Sequence, residues 1–176
     1  MIFLGQETIM TRSGEEAVYS SDAQTLREKK RSDLHNRAAM INRQPNAVLV
    51  SIHQNSLPKA TQVRGAQVFY NTVENAQTLA QCVQSTLNET VNSAQPKEAK
   101  AIDASIYLMR QVQCPAILVE CGFLSNTEET RMLQDYNYQK KLAAVIAAGV
   151  LNHADNRNGA NKNESEDELL LHGVRQ

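Results

Sequence analysis

The stretch AVLVSIHQNS, Ala47–Ser56, decides the fold. Its apolar residues follow one another instead of alternating with polar ones. A short run of that kind reads as a strand covered on both faces, as in the sheets of α/β proteins. It ends on His53 and passes at once into polar Gln54, Asn55 and Ser56. A second run, PAILVECGF (Pro115–Phe123), has the same character. Pro115 opens it where a missing N–H does least harm, Gly122 closes it, and Glu120 sits near its end.

Working outward, a helix is predicted from about 23 to 42. Leu26, Leu34, Ala38 and Ile41 lie at near-helical spacing, Asp22 serves as its cap, and Pro45 and Asn46 stop it. GAQVFY (Gly65–Tyr70) is a further strand. Ala76, Leu79, Ala80, Val83, Leu87 and Val91 form one stripe of a helix over Val73–Val91. ETIMTR (Glu7–Arg12) and SIYLMR (Ser105–Arg110) read as short strands. Residues 15–22, 54–64 and 92–103 read as loops. Glu128–Leu133 makes one or two helical turns. A last helix, Tyr138–Leu151, buries Leu142, Val145, Ile146, Gly149 and Val150.

Strands separated by amphipathic helices indicate a three-layer α/β domain, with a mostly parallel sheet and helices on both faces. This domain is expected over 1–152. From 153 to 176 the sequence is rich in Asn and charge and too poor in apolar surface to offset its ordering entropy, so a disordered polar tail is expected.

The chain has 176 residues, enough for one domain with a core, and a net charge of -1. That charge supplies no basic field for nucleic acid, and no nucleic-acid partner is expected. No apolar run reaches the ~20 residues of a membrane-spanning helix. MIFLGQETIMTR has neither the basic leader nor the long apolar region of a signal peptide. Cys82, Cys114 and Cys121 include no C-x-x-C pair, which argues against a disulfide framework or zinc knuckle. Across an extended run, Cys114 and Cys121 would stand about 23 Å apart, beyond bonding reach.

Chemistry in α/β sheets collects at the carboxyl edge of the strands, and two strands here end on ionisable groups. His53 is either a metal ligand, zinc being the natural candidate, or a ring that caps the loop backbone. Glu120 is either a partly desolvated acid/base group or the partner of Arg64 or Arg12 in a salt bridge. Cys121 follows Glu120 directly, so strand alternation turns it to the other face and discounts it as a nucleophile. His35 falls at the solvent boundary of its helix, and His153 and His172 lie in or near the tail. Arg37 and Asn42 are expected to bind neighbouring loops and fix a helix end.

TRSGEE, RAAMIN, SIHQNS, GAQVFY, PAILVECGFLSNTEE and YQKKLAAVIAAGV occur in that order. Together they resemble the catalytic domain of zinc-dependent N-acetylmuramoyl-L-alanine amidases, from about Thr8 to Leu151. Within that family the sporulation-related amidases are the nearest in pattern. The resemblance implies zinc as cofactor, His53 as a zinc ligand and Glu120 as the catalytic acid/base. Asn55 is a candidate substrate contact. It further implies peptidoglycan or muramyl peptides as partner and a place of work outside the cytoplasm, in the cell wall, periplasm or spore cortex. The reaction is hydrolysis of the amide between N-acetylmuramic acid and L-alanine by a zinc-activated water.

The family draws two more zinc ligands from a His-Gly-Gly loop and a following helix, and neither segment occurs in this sequence. A catalytic zinc takes three protein ligands and one open position, so the site is expected to be incomplete in this chain. The expectation is an amidase domain lacking the family's N-terminal strand and helix, as a piece of a longer protein. The alternatives are a degenerate amidase fold that binds cell-wall peptides or a protein partner without hydrolysis, and a site completed by a second chain.

Overall fold

The computed structural model describes residues 5–172, with side chains through 156. The elements run α1 (Leu26–Asn42), β1 (Leu49–Asn55), β2 (Gln67–Tyr70), α2 (Ala76–Thr90), β3 (Lys100–Ala101), α3 (Tyr107–Gln111), β4 (Ala116–Phe123), α4 (Thr127–Gln134) and α5 (Tyr136–His172). The sheet order is β1-β4-β2-β3. β1 pairs parallel with β4, and β2 parallel with β3. An antiparallel β2–β4 pairing joins the two halves.

Both faces of the sheet are covered. On one, Val68, Ile117, Val119 and Cys121 pack against Leu79, Val83 and Leu87 of α2 and Leu142, Ile146 and Val150 of α5. On the other, Leu49, Ala116 and Leu118 pack against Ala38 and Ile41 of α1 and Leu108 and Met109 of α3. The three-layer α/β architecture read from the sequence is the one observed.

α2 and α5 touch closely at Gly149. A methyl group there would sit 2.6 Å from the Val83 Cα and 2.7 Å from the Thr86 Oγ1. Entry into β2 is held by Asn92, 3% exposed, which takes the Ala66 N–H at 2.8 Å and donates to the Ala66 carbonyl at 2.7 Å. Asn92→Ala would leave both backbone groups buried without those bonds. The expected loss is on the order of 2 kcal/mol or more, read as a lower urea midpoint with unchanged slope.

Four local expectations are corrected. Residues 7–12 form no strand: Ile9 and Met10 are 53% and 71% exposed, and no neighbouring strand takes up their backbone. α1 is capped by Thr25, not Asp22. The Thr25 hydroxyl accepts the Glu28 N–H and the Glu28 carboxylate accepts the Thr25 N–H, satisfying two otherwise open donors. SIYLMR is not a strand. Asp103 accepts the Ser105 N–H and turns the chain into α3, which buries Leu108 and Met109. The loop over 92–103 contains β3, which exists because Phe69 and Tyr70 recruit Lys100 and Ala101.

α5 continues past residue 152, and His153 is 5% exposed, with Nε2 3.3 Å from the Thr78 Oγ1. The boundary expected at 152 is therefore not a helix end. The tail expected over 153–176 falls, beyond Asn156, on residues whose side chains lie outside the described part. Among the described residues no helix is long and apolar enough to cross a membrane.

Candidate active site

The register of β1 against β4 sets Leu49 beside Ala116, Ser51 beside Leu118 and His53 beside Glu120. On β4's other side Glu120 stands opposite Gln67 of β2. His53, Glu120 and Gln67 thus occupy one row across three strands, with strands about 4.8 Å apart. Leu49 and Leu118 belong to the layer under α1 and α3. Alternation along a strand then places Ser51, His53 and Glu120 on that same face. Cys121 points the other way, into the α2–α5 layer. Its thiol is pushed up to about 11, by burial and then by the Glu120 charge, which removes it as a nucleophile at neutral pH.

His53 is exposed, and its Nε2 lies 3.1 Å from the Ser51 Oγ. Its pKa is held below the ordinary histidine value, first by partial desolvation and then by the Arg37 guanidinium. Glu120 is half-buried, and desolvation raises its pKa above the usual carboxylate range. Its Oε2 is buried without a hydrogen-bond partner among the described residues. Arg64, one of the residues considered for pairing with it, binds Glu128 at 2.9 Å instead. A carboxyl raised in this way and free of an ion pair is suited to exchanging a proton near neutral pH.

Asn55 lies two residues beyond His53, after an irregularity in the β1–β4 register. Its side-chain oxygen accepts the Ser56 N–H at 2.7 Å, and its carbonyl accepts the Leu124 N–H at 2.7 Å. The loop that follows is tied to the β4–α4 turn. Leu57 N–H donates to the Ser125 hydroxyl at 2.9 Å, and the Asn126 side chain donates to the Thr61 carbonyl at 2.9 Å. Asn42 does bind a neighbouring loop, through the Gln111 carbonyl at 3.0 Å and the Gln113 N–H at 2.9 Å. Arg37 does not. It faces the same layer as His53, and sequence reasoning missed it as a site residue. The available signal was a charged residue next to Ala38 on the buried stripe of α1.

Among the described residues no three His, Cys, Asp or Glu side chains come together in a way that could hold a metal. Asp33, buried under the coil, spends its Oδ1 on the Val18 N–H and its Oδ2 faces Arg37. The guanidinium that lowers the His53 pKa also disfavours a cation there. The donor set of one imidazole and one carboxyl does not fit a catalytic zinc.

The chain's residues 4–152 match the family model of N-acetylmuramoyl-L-alanine amidases. It is 34% identical over 151 residues to the germination-specific N-acetylmuramoyl-L-alanine amidase of Bacillus subtilis, covering 85% of this chain and 62% of that protein. The chain thus spans about six tenths of that curated relative's length. Among solved structures it resembles the CwlD amidase of Clostridioides difficile, determined in complex with the GerS lipoprotein. The TM-score is 0.78 at 34% identity, over 84% of this chain and 75% of that one. An N-acetylmuramoyl-L-alanine amidase of Clostridium difficile matches with a TM-score of 0.63 at 33% identity, over 69% of this chain and 65% of that one. The chain belongs to the N-acetylmuramoyl-L-alanine amidase family.

Proposed function

We propose that the chain acts on peptidoglycan, hydrolysing the amide between N-acetylmuramic acid and L-alanine. The observation that carries this is the in-register pairing of His53 with Glu120, on a face where Glu120 is desolvated and free of an ion pair. Glu120 takes a proton from the attacking water and delivers one to the departing amine of L-alanine. His53 stands beside it on the neighbouring strand as the imidazole that faces the attacked carbonyl. Asn55 lies at the rim. With its oxygen engaged by Ser56, its NH₂ group is the part that meets substrate.

The family relationship favours zinc at His53, but the described side chains do not supply the donors for it. Protein purified and dialysed is expected to retain well under one equivalent of zinc, measured by elemental analysis. Near-stoichiometric metal that disappears with His53→Ala would overturn this. A role in the spore cortex draws support from the relative named for germination, and a peptidoglycan substrate supports work outside the cytoplasm. The test of the reaction is release of free peptide from muramyl peptides in zinc-supplemented buffer, followed by chromatography. Release no greater than that of Glu120→Gln protein would reject it.

A further inference from the structure

Two buried side-chain polar atoms lack a hydrogen-bond partner among the described residues: the Glu120 Oε2 and the Arg37 Nε. Both belong to the same layer. Asn42, at the end of α1, binds Gln111 and Gln113 just ahead of β4, so the end of α1 lies over the start of β4. Stepping back along α1 leads toward the ends of β1 and β4 where His53 and Glu120 stand. Arg37 lies five residues back, about 7.5 Å along the helix. The Arg37 charge acts on His53, after desolvation, to lower its pKa, in keeping with that direction.

Arg37 is held there with its hydrogen-bonding capacity largely unspent. Its side chain is 20% exposed, and its Nη1 is 3.7 Å from the Asp33 Oδ2, longer than a hydrogen bond. A guanidinium carries five N–H donors in a fixed fork that matches a carboxylate. A buried donor without a partner costs free energy, and an anion arriving at the site would remove that cost.

We propose that Arg37 is the carboxylate-binding residue of this site, holding a free carboxylate of the peptide that follows L-alanine, beside His53 and Glu120. The peptide identity rests on the amidase reading; the carboxylate preference does not. Arg37 thereby selects acidic stem peptides over amidated ones and sets the scissile amide against Glu120. Its contribution is to binding, not to proton transfer.

The test is titration of the chain, followed by NMR, with three probes: muramoyl-L-alanyl-D-glutamate, its counterpart amidated at both glutamate carboxylates, and glutarate. The acid is expected to bind wild type on the order of tenfold tighter than the amide, and glutarate to compete with it. Arg37→Gln is expected to abolish the preference, and Arg37→Lys to restore part of it. Equal binding of acid and amide to wild type would overturn the proposal, whether or not Arg37→Gln folds. So would a preference that survives in a folded Arg37→Gln protein, or the absence of any Arg37-dependent shift. If glutarate binds through Arg37 while neither muramyl peptide binds, the carboxylate site stands and the amidase reading fails.

Discussion

Glu120→Gln is expected to lower peptide release by about 10²–10⁴-fold while making the folded chain more stable at neutral pH. The side chains are nearly isosteric, so the face beneath α1 keeps its shape. What is lost is the ability to accept and return a proton. The gain in stability follows from the same desolvation. The folded-state pKa of Glu120 is raised above its unfolded value of about 4.3. Between those two values the folded chain binds more protons than the unfolded chain. Stability therefore falls as pH rises through that window, and the full penalty is present above the folded pKa. Glutamine carries no such penalty. The urea midpoint of Glu120→Gln is expected to exceed wild type at pH 7, and the two to converge below about pH 4. A variant that loses stability at pH 7, or keeps its rate, would contradict the role given to this carboxyl.

The second large effect concerns Gly149. In an exposed helix, replacing glycine by a residue with a side chain gains up to about 1 kcal/mol of propensity. Here a Cβ would sit 2.6 Å from the Val83 Cα, and a backbone atom cannot rotate out of the way. The Thr86 hydroxyl at 2.7 Å is also engaged, donating to the Val83 and Val145 carbonyls. α2 and α5 would have to move apart, loosening Leu79, Val83, Leu142 and Ile146 together. Gly149→Val is therefore expected to cost at least the ~3 kcal/mol at the upper end of overpacked cores. For a chain of this size that is a fall in Tm on the order of 10 °C, measured by calorimetry or circular dichroism. A neutral or stabilised variant would show that the two helices are not pinned at this point.

The long elements were legible because their apolar spacing does not depend on partners. AVLVSIH and PAILVECGF could be read as covered strands, and the stripe from Ala76 to Leu87 as a helix face, from the sequence alone. Short elements were not. Lys100 and Ala101 are exposed and polar in context, and become a strand only because β2 lies alongside. Ile9 and Met10 have strand-forming neighbours but no strand to pair with. Ile106 and Tyr107 favour extended backbone in isolation, a preference overridden by the turn at Asp103 and by burial of Leu108 and Met109. In the site, His53 and Glu120 could be marked because each interrupts an apolar run. Arg37 could not be connected with them, since its approach depends on the direction in which α1 crosses the sheet.

A single rung of the β1–β4 ladder carries the imidazole and the carboxyl, so the β lattice sets their spacing, and the connecting loops have little influence on it. Insertions between 56 and 66, which join the end of β1 to the start of β2 beside Glu120, can reshape the rim without changing that distance. A slip of β1 by one residue would instead turn His53 and its apolar neighbours to the wrong side of the sheet and part them from Glu120. The reactive arrangement therefore melts when β1 separates from β4 and not before. Slow amide exchange at Ser51 and Val119, whose N–H groups lie between β1 and β4, would report on it as directly as any assay.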